Sequence, residues 1–335
     1  VEEAGSGVVI EHNGNFYVIT NYHVIESAGI SDIRIEVDGR IYAPSRLVHD
    51  RQTDLSVMSL SSKDLIPCRI GKSKNVEIGE FVVAVGSPFG LSHSVSYGII
   101  SALNRHDLDL GPQGVNYQDF MQTDAAINPG NSGGALVNAN GELIGINAAI
   151  KSNTGSYTGY SFAIPVNLVT KVVEDLLEYG TVQRGYLGVN IQNIDQALAD
   201  DEEITDLSGV YVAQTVEFGA ARKAGIESGD IIKKIAEVPV ENVTELQEMV
   251  SRYRPGDEVL VTLERNGEII DIPVVLRNRF GEAEVSYKAE ADLQQKLGAV
   301  FMDIDDTTQE NLKIDYGVRV NELGKGKLRS AGIME

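Results

Sequence analysis

The first part of the chain alternates between apolar and polar positions in a way that predicts β-strands. Residues 16–20 combine aromatic and β-branched side chains, and a second alternating run starts at Leu55 after a polar loop. Residues 166–179 show a different spacing, typical of one helical face, with these apolar positions: Val166, Val169, Val172, Val173, Leu176 and Leu177. We expect an amphipathic helix here that ends at Gly180.

The second half of the chain contains two similar segments. Three glycines recur at similar spacings beside similar apolar residues in each: Gly188, Gly209 and Gly225, then Gly298, Gly317 and Gly332. A repeat of about a hundred residues indicates a duplicated domain, because solenoid repeats are shorter. The sequence therefore predicts one N-terminal domain followed by two related ones.

Composition narrows the classes of function. With 335 residues and 42% hydrophobic content, the chain can form separate cores. Its net charge of -21 argues against a nucleic-acid partner. No apolar run approaches the ~18 residues of a transmembrane helix. Cys68 is the single cysteine, and no His/Cys cluster has metal-ligand spacing, so we expect no intramolecular disulfide, metal or cofactor.

The segment around Ser132 has the pattern of a nucleophile loop. Gly130 and Gly133 flank Asn131 and Ser132 and allow backbone angles that let consecutive N–H groups converge beside an exposed hydroxyl. A developing oxyanion needs such converging donors. A glycine-rich turn between two strands is the alternative, so other residues must decide.

An active serine needs a base, and the base needs an orienting group. His23 follows the strand predicted at residues 16–20, whereas the other histidines lie in polar or turn-like surroundings: His12, His49, His93 and His106. Asp54 stands where a polar loop turns into a strand, and Asp50 competes with it for the third position. Taken alone, His23 also fits the role of a structural histidine, and Asp54 and Asp50 also fit the role of turn-forming acids.

Three blocks around these residues resemble the catalytic blocks of HtrA (Deg) serine proteases. They comprise residues 20–25, 53–57 and 128–136, in the order His, Asp, Ser, and further similar segments occur at 5–10, 141–147 and 162–165. The resemblance implies a mainly β fold, with a trypsin-like double β-barrel at residues 1–180. Tyr22 departs from the family, which usually has asparagine before the histidine.

The two repeated segments resemble PDZ domains, which are α+β folds. The resemblance implies a first PDZ domain at 184–278, a charged linker at 279–290 and an incomplete second PDZ domain at 291–335, so that the chain is expected to be a fragment. A helix is expected at 242–253, with Thr244 and Gln247 as its capping box.

In the first PDZ domain, a peptide C-terminus would add as a strand, and backbone N–H groups of one loop would receive its carboxylate. The loop comprises Tyr186, Leu187, Gly188 and Val189. An apolar pocket would receive the last side chain, and its predicted lining is Leu246, Met249 and Val250. Burial of these apolar residues in the domain core is the alternative.

The resemblance also implies roles around the nucleophile. Ser132 would attack, His23 would transfer the proton and Asp54 would orient the imidazole. Backbone N–H groups of the loop would form the oxyanion hole at Gly130, Asn131 and Ser132. Since Ala126 stands where trypsin-like enzymes carry the acid that selects Lys or Arg, cleavage after small or branched aliphatic residues is expected. The predicted pocket lining is Ala126, Ile127, Gly159, Tyr160 and Ser161.

The implied function is an ATP-independent endopeptidase that degrades misfolded or unfolded envelope proteins in a bacterial periplasm. Its expected partners are unfolded substrates, hydrophobic C-terminal peptides and further copies of the chain, as a homotrimer or larger cage. The alternative is a chaperone or peptide-binding scaffold with an idle protease site. An esterase of another fold is poorly supported, because no Gly-x-Ser-x-Gly motif surrounds Ser132.

Overall fold

The fold is described from a computed structural model of the chain. The structure describes residues 4–62, 64–87, 94–105, 120–128, 130–150 and 159–288. Beyond these it describes Leu297, Gln309, Lys313 and the segments 299–303, 318–323 and 327–330. The chain divides into two compact units, Val1–Val182 and Gln183–Glu335.

The described part of the first unit is built mainly from strands. Strands β1 to β6 are Val8–His12, Asn15–Asn21, Ile35–Val37, Arg40–Tyr42, Arg46–Asp50 and Leu55–Leu60. Strands β7 to β13 are Arg69–Ile70, Phe81–Gly86, Ser94–Arg105, Phe120–Thr123, Ala135–Asn138, Glu142–Ile150 and Ser161–Pro165. A 3₁₀ turn spans Ser73–Asn75, and helix α1 spans Val166–Glu178.

These strands form two main sheets. The first has the order β1-β2-β6-β5, and β3 pairs with β4 in a separate hairpin. The second has the order β11-β8-β9-β10-β13-β12-β7 and closes into a barrel, because β11 also pairs with β12. In the first sheet Asn21 at the end of β2 lies opposite Leu55 at the start of β6. This antiparallel register brings the segments that carry His23 and Asp54 to the same sheet edge.

Helix α1 confirms the prediction from apolar spacing. Five of its six predicted apolar residues are buried, and Leu177 is partly buried against the same core. Pro165 precedes the helix in an extended conformation, which suits a residue that lacks a backbone donor. The apolar face contributes to a core shared with residues of both sheets, so the helix covers the unit's interior.

The second unit begins with a mixed α/β fold. Strands β14 to β19 are Val189–Asn193, Val210–Thr215, Ile231–Ile235, Val238–Pro239, Glu258–Arg265 and Glu268–Val275. Helices α2 to α4 are Gln196–Asp201, Ala220–Ala224 and Val243–Ser251. The sheet order is β14-β15-β16-β18-β19, with β17 paired to β16, so β14 is an edge strand. Further along lie a hairpin of β20 (Ala299–Asp303) and β21 (Val318–Leu323), and α5 (Lys327–Ser330).

The capping prediction for α4 was wrong by two residues. Asn242 is the N-cap, and its side chain accepts a hydrogen bond of 2.9 Å from the Glu245 amide. The Glu245 carboxylate in turn accepts from the Glu241 amide at 2.8 Å. Asparagine is a stronger N-cap than threonine because its side-chain carbonyl reaches the free amides of the first turn, so the helix begins before Thr244.

Residues just after β19 form a hydrogen-bonded turn around Asn278, which is 7% exposed. The Asn278 side chain accepts from the Phe280 and Glu282 amides at 2.9 and 3.0 Å. The turn is tied back to the start of the unit, because the Ser286 amide donates to the Gln183 side chain at 2.9 Å. Most of the predicted linker is therefore described, and its last residues, 289 and 290, lie outside the described part.

Candidate active site

His23 and Asp54 form a close pair. The Asp54 carboxylate accepts from the His23 backbone amide at 2.9 Å and lies 2.7 Å from His23 Nδ1. The two contacts use different carboxylate oxygens, so they fix both the loop and the ring. The His23 side chain is 36% exposed, whereas that of Asp54 is 8% exposed. The imidazole is therefore anchored on its buried side and open to solvent on the other.

The structure distinguishes Asp54 from its competitor Asp50. Asp50 accepts from both the backbone amide and the hydroxyl of Thr53, at 2.8 and 2.6 Å, and so stabilises the turn before β6. Asp54 has a positive φ of 56°, which is unusual for a residue other than glycine. Its carbonyl accepts from the Tyr22 amide and the Asn21 side chain, both at 3.0 Å. These contacts hold the strained residue toward His23.

The Ser132 loop is tied to the first sheet through Ser6. The Ser6 amide donates to the Ser132 carbonyl at 3.0 Å, and its hydroxyl donates to the Gly130 carbonyl at 2.6 Å. Thr20, at the end of β2, donates to the Ser6 carbonyl at 2.7 Å. The nucleophile loop thus lies against the strand that leads to His23. Glycine-rich sequence at residues 5–7 was the only signal for this role of Ser6.

The hydroxyl of Ser132 donates to the Ala148 carbonyl at 3.4 Å. Within the described residues it forms no hydrogen bond with His23. The Asn131 amide donates to the Asn128 carbonyl at 2.9 Å and is already used in the turn. Of the three predicted oxyanion residues, Asn131 therefore has an amide with an acceptor in the turn, whereas no hydrogen bond from the Gly130 or Ser132 amide is found among the described residues.

Gly133 is held by its surroundings. Its amide donates to the Asn147 carbonyl at 2.8 Å, and the Asn147 side chain donates to the Ala135 carbonyl at 3.1 Å. A Cβ at Gly133 would lie 2.2 Å from Thr20 Oγ1 and 2.3 Å from the Ser6 carbonyl oxygen. The loop and strand β2 can approach each other this closely only because residue 133 has no side chain.

We expect Gly133→Ala to destabilise the protein by roughly 3 kcal/mol or more, because two costs add: the new Cβ overlaps neighbouring atoms, and alanine disfavours the left-handed φ at this position. Gly39→Ala is the matched control: its φ of 74° is similar to the 83° of Gly133, but no atom lies within 4 Å of an added Cβ. That change should cost about 1 to 2 kcal/mol. Urea unfolding of both variants measures the difference, and equal losses would contradict the close packing.

The predicted specificity residues divide into two groups. Ile127 and Ser161 are buried, and the Ile127 amide donates to Ser161 Oγ at 3.3 Å. Ala126 and Gly159 are partly exposed, and Tyr160 is exposed. Ala126, Gly159 and Tyr160 therefore have surface that a substrate side chain can reach, whereas Ile127 and Ser161 do not. Residues 151–158, which precede Gly159, lie outside the described part.

In the second unit, the predicted loop precedes the edge strand β14. Tyr186 is exposed, Leu187 is buried, Gly188 has a φ of 71°, and Val189 begins β14. The predicted pocket residues on α4 are 2%, 8% and 5% exposed and belong to the core of this unit: Leu246, Met249 and Val250. This agrees with the alternative that the sequence left open, that they are core residues.

One contact near His23 was not foreseen. Tyr22 stacks on His49, with ring centroids 4.7 Å apart, and so joins the His23 loop to β5. His93 and His106 lie outside the described residues. Within the described residues, no group of three or more His, Cys, Asp or Glu side chains could hold a metal ion. No described helix has the length and apolar character needed to cross a membrane.

Comparison with known families matches both units. The family described as "Trypsin-like peptidase domain" matches residues 5–146, and the family described as "PDZ domain" matches residues 185–276. The first match contains His23, Asp54 and Ser132. The second contains β14, α4 and the loop before β14.

Curated relatives cover most of the chain. A protein of Chlamydia trachomatis and one of Hahella chejuensis, each named a probable periplasmic serine endoprotease DegP-like, are 39% and 35% identical over 81% and 99% of the chain. The Escherichia coli "Periplasmic serine endoprotease DegP" is 35% identical over 96% of it. The chain spans 53%, 70% and 65% of these relatives, respectively.

A solved structure agrees with these matches. The "HtrA-type protease AlgW with decapeptide" is 37% identical and superposes with a TM-score of 0.66, over 82% of each chain. The mainly β fold, with a trypsin-like domain followed by a PDZ domain, is therefore confirmed. Together with the paired His23 and Asp54 and the glycine-rich Ser132 loop, these similarities show that the chain belongs to the HtrA (Deg) family of serine proteases.

Proposed function

We propose that this chain is a serine endopeptidase that cuts unfolded proteins. The observation that carries the proposal is the 2.7 Å pair of His23 Nδ1 and the buried Asp54 carboxylate, in the same unit as the glycine-flanked Ser132. Such a pair holds the imidazole with its other nitrogen free to accept a proton. The family to which the chain belongs supports the same activity.

In the proposed mechanism, Ser132 Oγ attacks the scissile carbonyl carbon and transfers its proton to His23 Nε2. The tetrahedral intermediate then collapses, and the imidazolium gives that proton to the leaving amine. Asp54 stabilises the imidazolium throughout. Water repeats the sequence on the acyl-enzyme and releases the free acid. The Gly130 and Ser132 amides would stabilise the oxyanion in both halves of the reaction.

Among the described residues, Ser132 forms no hydrogen bond with His23. The hydroxyl donates to the Ala148 carbonyl at 3.4 Å, a long contact that a side-chain rotation would break. Catalytic hydrogen bonds often form only with substrate bound. We propose that substrate binding rotates the Ser132 side chain toward His23.

For substrate preference, we propose a shallow apolar pocket lined by Ala126, Gly159 and the exposed Tyr160. None of these three residues is acidic, so none would attract a Lys or Arg side chain of the substrate. This supports cleavage after small or branched aliphatic residues. In folded proteins such residues are mostly buried. Unfolded chains are therefore the substrate class that this pocket would reach.

We further propose that the unit containing β14 binds hydrophobic peptide C-termini. Edge strand β14 can accept another strand, and α4 packs beside it. Leu246, Met249 and Val250 would then form the floor below the peptide's last side chain. We place the protein in the periplasm because its named relatives are periplasmic, and propose assembly as a homotrimer or larger cage.

The test is digestion of an unfolded protein such as reduced casein, with product ends identified by mass spectrometry. We expect cuts after valine, alanine and isoleucine, and faster cleavage when a hydrophobic C-terminal peptide is added. Cuts mainly after lysine or arginine would contradict the proposed pocket. If aggregation of a substrate is suppressed but no peptide bond is cut, the scaffold function replaces the endopeptidase.

A further inference from the structure

The second unit contains a pocket of about 260 Å³ beside the loop before β14. Its apolar lining includes Val216, Phe218 and Phe280, and the guanidinium-bearing residues Arg277 and Arg279 also line it. The pocket therefore combines apolar surface with positive charge. It shares Tyr186 and Gly188 with the loop, but none of its lining residues belongs to β14 or α4.

No described acidic residue lines this pocket, and the nearby Glu282 carboxylate accepts a hydrogen bond from the Asn278 side chain at 2.9 Å. In the described residues, Lys223, Arg277 and Arg279 form no salt bridge. Arg277 donates to the Gly281 carbonyl, and Arg279 lies 4.6 Å over the Phe280 ring. Burial and then the charge of Arg277 lower the pKa of Lys223, as expected for neighbouring cations. In a chain of net charge -21, such a cluster favours an anionic ligand.

The walls of the pocket are held in place before any ligand arrives. The buried Asn278 side chain fixes the turn that carries Arg279 and Phe280. On the opposite wall, a Cβ at Gly219 would lie 2.7 Å from the Gly188 carbonyl oxygen, so these two backbone segments are in close contact. A pocket with fixed walls loses little entropy on binding.

We propose that this pocket binds an internal peptide segment in which a carboxylate side chain stands next to an aromatic or aliphatic one. The carboxylate would accept hydrogen bonds from Arg277 and Arg279, and Lys223 would add a third positive charge. The apolar neighbour would cover Phe218 and Phe280. A free phosphate would leave that apolar surface uncovered, which favours a peptide. This site adjoins the proposed groove for chain ends, with which it shares Tyr186 and Gly188, but it uses no residue of β14 or α4 and does not depend on proteolysis.

The test uses the full chain carrying Ser132→Ala, so that no probe is cut. Fluorescence anisotropy would follow a labelled peptide of alternating glutamate and leucine with an amidated C-terminus, and a second peptide with glutamine in place of glutamate. We expect the acidic peptide to bind at least about tenfold more tightly, because only it carries charge-assisted bonds. Arg279→Gln should weaken binding of the acidic peptide about tenfold, and Arg279→Glu further.

Lys234→Glu is the matched control, because Lys234 is exposed in the same unit but does not line the pocket. It should change affinity less than about twofold. Equal effects of Lys234→Glu and Arg279→Glu would overturn the proposal. So would equal affinity for the glutamine peptide, a requirement for a free C-terminus, or binding only of inorganic phosphate or phosphatidylglycerol vesicles. Thermal unfolding of each variant verifies that Arg279, which is exposed, can be replaced without loss of the fold.

Discussion

Replacing Ser132 with alanine is expected to lower kcat for cleavage of an unfolded protein by about 10⁶-fold. The reason is that the hydroxyl is the only group of the proposed triad that forms a covalent bond to substrate. The effect on stability should be small, because among the described residues Ser132 Oγ makes one long hydrogen bond, to the Ala148 carbonyl at 3.4 Å. Initial cleavage rates at saturating substrate measure the change.

The control for this prediction is Ser61→Ala, which removes a hydroxyl from an exposed position in the same unit. Its cleavage rate should match that of the unsubstituted protein. A Ser132→Ala protein that keeps its fold and its cleavage rate would show that the nucleophile lies elsewhere. Loss of cleavage with retained suppression of aggregation would instead give the chain a second, holding role.

Asp54→Asn is expected to lower kcat about 10⁴-fold while leaving the fold intact. Asparagine fits the same space, but an amide cannot stabilise the imidazolium and favours the wrong tautomer of His23. The loss should lie in kcat rather than in KM, because Asp54 is buried behind His23 and would not touch substrate. Steady-state kinetics on a peptide substrate separate the two constants.

Asp50→Asn provides a matched comparison, because Asp50 is four residues away and caps the turn through Thr53. We expect this change to cost about 1 kcal/mol of stability and to alter kcat less than tenfold. If both variants lost activity to the same extent, the distinction between an orienting acid and a turn-forming acid would be wrong.

Local sequence patterns were sufficient for the main elements that position the site. The apolar spacing of residues 166–179 identified α1, and the run at 16–20 identified the strand before His23. The order of His23, Asp54 and Ser132 within similar blocks led to the family. These features succeed because periodicity and short motifs record local conformation and chemistry directly.

Contacts between distant segments were not predictable in the same way. The hydrogen bond from the Ser6 hydroxyl to the Gly130 carbonyl joins residues more than a hundred positions apart, and only the fold brings the two residues together. The cationic pocket combines residues near 186, 218 and 279. Glycine-rich sequence also does not reveal that the Asn131 amide already donates to the Asn128 carbonyl within the turn.

Similar limits apply to burial. The spacing of Leu246 and Val250 along their helix fits residues that line a groove as well as residues of a core. In the structure both side chains are buried. Ile127 and Ser161 are neighbours in sequence of the exposed or partly exposed residues proposed for the pocket, but both are buried. Sequence patterns identify apolar positions, whereas the packing of neighbouring elements determines which of them a ligand can reach.

The central claim is that His23 and Asp54 activate Ser132 as a nucleophile. It is tested most directly by treating the protein with a fluorophosphonate and locating the added mass by peptide mapping. The account predicts one label per chain, on Ser132, with loss of cleavage in proportion to labelling and much slower labelling of Asp54→Asn. Cleavage that persists in fully labelled protein, or a label on another residue that abolishes it, would contradict the claim.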